Sequence, residues 1–340
     1  MKAVVYSKTG GPDVLQLVER PVREPEAGQV RVRVQVSGVN PTDWKARRGA
    51  QEGEEVPFPE VVPNQDGAGT IDAVGTGVPG DRVGERVWLW EAAWQRADGT
   101  AQEFVVLPGR QAVPLPDGVS FDIGASLGIP ALTAHRCLTV SDLGPRRLEP
   151  GALAGRTVLV AGGAGAVGHA AIQLARWAGA RVISTVSTDH KAALARAAGA
   201  DHVVNYRNGE PRDEILALAP DGVDIIVDVA AAANAGLDEA VLAANGIVAA
   251  YAADSPDDLA LDVHRLMYRN VRYQFVLVYT IPETAKDQAV SDVTFAASEG
   301  ALAVGEAAGL PLHRFPLEQT ADAHAAVEGG TVGKVLIDVS

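Results

Sequence analysis

A single cysteine, Cys137, stands among 340 residues. No disulfide can form within the chain, and no cysteine-rich metal lobe can be built. Histidine is scarce too. His135, His169, His190, His202, His264, His313 and His324 are scattered, and no two show the HxxxH spacing that sets two ligands on one helix face. No uncharged apolar span reaches the roughly 18 residues of a membrane helix, and residues 1–6 open no long hydrophobic region. The expectation is a cytoplasmic protein with no membrane partner. Positive charge is in deficit, 29 Lys and Arg against 43 Asp and Glu. The net charge of −14 weighs against nucleic acid or an anionic membrane as a main partner. Fixed-period repeats and low-complexity linkers are absent as well.

What is present centres on residues 157–177. An apolar run with β-branched residues, 157–161, is followed by glycines, and Val167, Ala171, Leu174 and Ala175 then recur at helical spacing. Strand, glycine turn and helix form the dinucleotide-binding arrangement. Gly163, Gly165 and Gly168 fit its fingerprint, with Gly162 as an alternative first glycine. Side chains without Cβ let the turn approach a pyrophosphate at a helix N-terminus. The candidate cofactor turn is therefore Gly162, Gly163, Ala164, Gly165, Ala166, Val167 and Gly168; the plainer alternative is a turn that only lets helix and strand pack closely. Further strands are expected at 180–186, 202–205, 222–228, 246–250 and 271–278, with helical stretches between most of them. That alternation predicts an α/β fold with a doubly wound parallel sheet.

The end of the second strand selects the cofactor. An NAD site places an acid about 20 residues beyond the glycines to hold the ribose hydroxyls. Here Ser187 occupies that neighbourhood, leaving room for a phosphate, and Lys191 follows one turn later. The reading is NADPH. Asp189 is the competing NAD acid by simple counting; we read it as the cap of the next helix, since carboxylates favour helix N-termini.

Residues 1–125 read differently. Segments 2–6, 28–36 and 82–88 are strand-like, the second alternating apolar and polar residues, with Gly and Pro between them. A helical pattern with Pro130 near its middle spans 122–140 and is expected to link two domains. A helix at 283–299 and a final helix and strand at 317–327 and 333–338 complete the chain. The last strand has no crossover partner and is expected to return to the first domain.

With these pieces placed, the chain resembles the medium-chain dehydrogenase/reductase superfamily, and within it the zinc-independent quinone oxidoreductases related to zeta-crystallin. The matching segments are spread end to end, at 10–15, 38–43, 66–69, 73–75, 84–87, 128–134, the glycine turn, 199–206 and 333–335. The resemblance implies a GroES-like β-rich domain (1–125 and 280–340), a Rossmann NADPH-binding domain (126–279), and a homodimer joined at the sixth strands. Zinc-containing relatives carry Cys where this chain has Asn40 and His where it has Gln65. Asn and Gln are a poor pair for Zn2+.

The same resemblance implies the site. Asn40 lines the acceptor site, Thr133 approaches the nicotinamide or its ribose, and Tyr206 joins Ser187 and Lys191 at the 2′-phosphate. Lys334 lies near the cofactor, and Phe275, Val276 and Leu277 wall the nicotinamide. Each has a plainer reading. Asn40 is a turn residue before Pro41, Thr133 bonds back to its own helix turn, Lys191 and Tyr206 are surface residues, and Phe275 and Leu277 are edge-strand packing. Two departures bear on the acceptor. Lys45 stands where relatives carry a pocket tyrosine, and Trp88, Trp90 and Trp94 crowd one stretch, as flat apolar surface or as buried core. No residue is a clear general acid; Asp43 is the candidate, or it only fixes its loop.

Without a Lewis acid, the suitable chemistry is delivery of reducing equivalents from NADPH to an already electrophilic acceptor. A quinone is the leading substrate. An enone or alkenal reduced at C=C is the alternative, and a non-catalytic NADPH-binding redox sensor a third.

Overall fold

The computed structural model describes residues 1–253 and 258–339. They form two compact units. Unit 1 holds residues 1–129 and 312–340, unit 2 residues 130–311.

Unit 1 begins with a small antiparallel pair, β1 (Lys2–Val5) and β2 (Gln16–Glu19). β3 (Gln29–Val39) then runs the length of the main sheet. Its alternation is real: Val30, Val32, Val34 and Val36 are buried and fill the core. From Ser37 onward both faces are buried, which ends the alternation. After α1 (Pro41–Arg48) come β4 (Asp66–Val74), β5 (Arg86–Leu89), β6 (Phe104–Pro108) and β7 (Ala112–Pro114). The expected strand at 82–88 starts later, because Gly80–Arg82 closes a 3₁₀ turn first. α2 (Phe121–Thr139) contains Pro130, and the division between the units falls between Ile129 and that proline.

Unit 2 is a six-stranded parallel sheet. Its elements are β8 (Thr157–Ala161), α3 (Ala166–Trp177), β9 (Arg181–Val186), α4 (Asp189–Ala197), β10 (His202–Asn205) and α5 (Pro211–Leu218). They continue with β11 (Val223–Asp228), α6 (Ala231–Val241), β12 (Leu242–Ala250), α7 (Val263–Tyr268), β13 (Arg272–Phe275) and α8 (Glu283–Ser298). The strand order β10-β9-β8-β11-β12-β13 reverses between β8 and β11, the arrangement of a dinucleotide-binding sheet. The sixth strand is shorter than the 271–278 expected, because Val278–Thr280 coils into a 3₁₀ turn.

Residues 280–311 belong to unit 2 by their contacts. Asp292 on α8 accepts from His135 Nε2 at 2.8 Å and from the Leu148 N–H at 2.7 Å. Phe295 packs edge-on against Trp177. The chain then returns to unit 1 as β14 (Leu312–Pro316), α9 (Thr320–Glu328) and β15 (Lys334–Asp338). β15 pairs antiparallel with the last four residues of β3, while β6 pairs with the first five. The return expected of the terminal strand is thus the completion of a seven-stranded, GroES-like sheet. Among the described residues, no helix is long and apolar enough to cross a membrane.

Candidate active site

In unit 2 the glycine turn has the shape a dinucleotide needs. Gly162 sits at φ +71°, open to few other residues. A Cβ on Gly168 would lie 2.4 Å from the Gly162 carbonyl oxygen, so the third glycine is what lets α3 pack on β8. Gly165 caps α3 with extended backbone, and no side chain caps the helix. The N–H groups of Ala166, Val167 and Gly168 have no acceptor within the helix. Free donors at a positive helix end suit a pyrophosphate. Gly163 and Ala164 complete the turn.

The end of β9 gathers the second group. Lys191 Nζ lies 3.4 Å from Ser187 Oγ. Tyr206 follows β10 and donates its N–H to the Val186 carbonyl at 3.1 Å, leaving the ring exposed. Asp189 is not the cap. Thr188 takes that position and accepts the Lys191 N–H, while Asp189 is the first helical residue. Its carboxylate accepts from Asn205 Nδ2 at 3.1 Å. The hydroxyl of Thr188 competed better for the cap because it reaches the N3 amide from extended backbone.

Thr133 is buried on α2, and its hydroxyl makes no bond back to its own turn. Thr139 on the same helix does, to the His135 carbonyl at 2.9 Å. Phe275 ends β13 and Leu277 follows it; both side chains are exposed, with Val276 buried between them.

Unit 1 contributes a buried polar cluster. Register assembles it. β3 ends where β4 and β15 begin, with Gly38 opposite Asp66 on one side and Leu336 on the other. Asn40, Asp66 and Lys334 therefore converge. Lys334 Nζ donates to Asn40 Oδ1 at 2.7 Å, and Asn40 Nδ2 donates to Asp66 Oδ2 at 2.7 Å. Lysine only donates and carboxylate only accepts, so these partners fix which way the amide points. Lys334 Nζ also lies 3.7 Å from Asp66 Oδ2. Asp66 Oδ1 accepts the Ile129 N–H at 2.9 Å. That approach requires Gly128, where a Cβ would lie 2.1 Å from Asp66 Oδ1.

Asp43 folds back from the first turn of α1. It accepts the Asn40 N–H at 2.7 Å and the Gln65 N–H at 3.1 Å. Burial, then the neighbouring Asp66 charge, pushes its carboxyl up to about 8, while the two N–H groups and Lys334 oppose the rise. Burial also raises Asp66 and lowers Lys334, each offset by the other's charge. After its two bonds, Asn40 keeps one Nδ2 hydrogen to offer. Sequence reasoning missed Asp66 as the centre of this cluster. The signal was there: an acid follows Gln65 immediately, at the start of a strand. Trp88 and Trp90 are buried in unit 1, which accounts for them as core.

The chain matches two families of known proteins, the alcohol dehydrogenase GroES-like domain over residues 26–117 and the zinc-binding dehydrogenase over residues 166–294. The quinone oxidoreductase of Lama guanicoe is 30% identical over 343 residues, covering 99% of this chain and 97% of that protein. The chain belongs to the quinone oxidoreductases of the medium-chain dehydrogenase/reductase superfamily. Among solved structures, an NAD-dependent alcohol dehydrogenase is 30% identical with a TM-score of 0.85, covering 100% of both chains. A mycobacterial protein complexed with NADPH is 30% identical with a TM-score of 0.80, covering 99% of both. This member is accordingly an oxidoreductase that uses a nicotinamide cofactor. Its donor set does not fit catalytic zinc. At the positions of the zinc ligands it has two amides, and Asn40 is already committed to Lys334 and Asp66 in a site 2% exposed. A cation there would strand the buried ammonium of Lys334 beside it.

Proposed function

We propose that this oxidoreductase reduces quinones with NADPH and without a metal. The observation that carries the reading is the Asn40 amide, turned by Lys334 and Asp66 so that one N–H remains to meet an acceptor oxygen. Bound NADPH supplies the reducing equivalents. The glycine turn holds its pyrophosphate through the N–H groups of Ala166, Val167 and Gly168. Ser187, Lys191 and Tyr206 hold the 2′-phosphate, with the Lys191 ammonium supplying the positive charge. The Thr133 hydroxyl, free of its own helix, serves the nicotinamide ribose, and Phe275 and Leu277 offer the nicotinamide ring apolar surface. Asp43 acts by fixing the Asn40 backbone rather than by moving a proton. A reduced quinone takes its protons from water, so no protein acid is required.

The test follows NADPH consumption with 1,4-benzoquinone, 9,10-phenanthrenequinone and a simple enone, repeated with NADH. Turnover on the quinones with NADPH preferred is the expected result. Turnover on the enone alone moves the protein to C=C reduction, and tight NADPH binding with no turnover on any acceptor makes it a sensor.

The homodimer belongs to the same proposal. β13 is an edge strand of the parallel sheet. Val263, Met267 and Tyr268 on α7, the helix that leads into it, expose large apolar side chains. A second copy pairing along β13 would cover them. Light scattering on the purified chain should give twice the monomer mass; a monomer removes this part of the reading.

A further inference from the structure

Unit 2 carries a cavity of about 270 Å³ that none of the roles above uses. It lies between the C-terminal end of α2, the loop that follows, and the first turns of α8. Arg136 and Arg146 both line it. Among the described residues, neither guanidinium has a hydrogen-bond or ion-pair partner. That is unusual in a chain with a net charge of −14, where carboxylates outnumber cations. The other arginines nearby are engaged. Arg147 pairs with Asp292, and Arg272 lies 3.2 Å from Asp142. Asp142 is the one acid lining the cavity, and that pairing offsets its charge. Arg136 is half-buried, and loss of water lowers its pKa with no carboxylate to restore it.

A helix end adds to the positive field. Pro282 caps α8, and its carbonyl accepts from Ala285 and Lys286. The N–H groups of Glu283 and Thr284, one residue earlier on the helix, have no intrahelical acceptor. α8 is 16 residues long, so its N-terminus carries the full positive end of a helix dipole. Glu283 sits in this first turn but lies 3.6 Å from Lys286, which offsets it. Ser141 and Thr284 line the same space with hydroxyl groups, while the Thr139 hydroxyl beside them is spent on the His135 carbonyl.

We propose that this cavity binds a small phosphate-bearing anion, inorganic phosphate or a small phosphate monoester, on Arg136, Arg146 and the α8 N-terminus. The donors decide the class. Two guanidinium forks, two helix N–H groups and the hydroxyls of Ser141 and Thr284 exceed what the two oxygens of a carboxylate accept, and match the three terminal oxygens of a phosphate. The volume decides the size. It falls below the roughly 300–1,000 Å³ of sites for drug-sized ligands, which leaves out a whole dinucleotide.

The site is independent of the cofactor proposal, and the experiment keeps them apart. Binding of inorganic phosphate and of glycerol phosphate is followed by 31P NMR at constant ionic strength, on protein saturated with NADP+. Wild type and Lys191→Ala are expected to bind alike. Arg136→Gln and Arg146→Gln are each expected to weaken binding about tenfold, with circular dichroism verifying their fold. Arg146 is exposed, so its variant folds even if the Arg136 variant does not. The tighter of the two ligands identifies the source. Absence of binding in wild type, binding unchanged in both arginine variants, or loss in Lys191→Ala alone would overturn the assignment.

Discussion

Lys334 Nζ donates to Asn40 Oδ1 across 294 positions of sequence, and both residues are almost completely buried. The ammonium thereby fixes an amide that would otherwise be free to turn over. Replacing Lys334 by Met keeps most of the volume and removes the charge. It leaves Asn40 Oδ1 without a donor and Asp66 without its counter-ion. The expected loss of stability is about 3 kcal/mol, as for other buried pairs broken on one side. Urea unfolding measures it, and a midpoint within error of wild type would mean the ammonium is not a buried partner.

Gly128→Ala probes the same cluster from the helix side. The new Cβ would fall 2.1 Å from Asp66 Oδ1. Either the carboxylate or α2 must shift, at a cost of about 1–3 kcal/mol. A quinone KM raised along with that cost would tie Asp66 to the acceptor, through Asn40. Unchanged stability would contradict the packing.

Lys191→Ala addresses the cofactor. NADPH should bind roughly tenfold more weakly, and NADH nearly as before. Fluorescence titration of the two reduced cofactors decides it, because equal weakening of both removes the phosphate assignment.

The Asp228 and Asp238 carboxyls of unit 2 lie buried against each other, each with an oxygen that lacks a donor if both are ionised. Burial, then the charge of Asp228, pushes Asp238 up to about 9, and a proton on Asp238 supplies the hydrogen bond between them. The folded state holds that proton more tightly than the unfolded chain. Its stabilisation is complete below the unfolded pKa near 3.8 and is lost as pH rises through about 9. From pH 7 to 9 wild type should lose about 2 kcal/mol more than Asp238→Asn, whose amide donates without titrating. Parallel stability curves for the two proteins would sink the shared proton.

Much of this could be read before any coordinates. The glycine turn announces itself because all its parts are local: strand, turn and helix lie within one short stretch. β3 does so through its period of two. The Ser187–Lys191 contact is legible as one helical turn. What stays hidden is long-range. Nothing near Lys334 says that it meets Asn40 and Asp66; only the register of three strands does. An acid at Asp189 suits a helix start and so points to itself as the cap, yet Thr188 stands one residue earlier with the better geometry. Residues 280–311 carry no mark of which unit they join, since the decision rests on Asp292 reaching His135 and Leu148 across more than 140 positions. The free arginines of the small cavity are equally silent in one dimension, because a lack of partners is a property of space.

The closing of the GroES-like sheet by β15 sets an order of events during synthesis. Unit 2 is one continuous segment and can fold as soon as it leaves the ribosome. Unit 1 cannot. Its first 129 residues emerge first but must wait, with the inner edge of β3 unpaired from Val36 to Val39, until the last strand arrives. The part made first is finished last, so the newborn chain passes through a stage with an open strand edge, the condition under which chaperones are most needed.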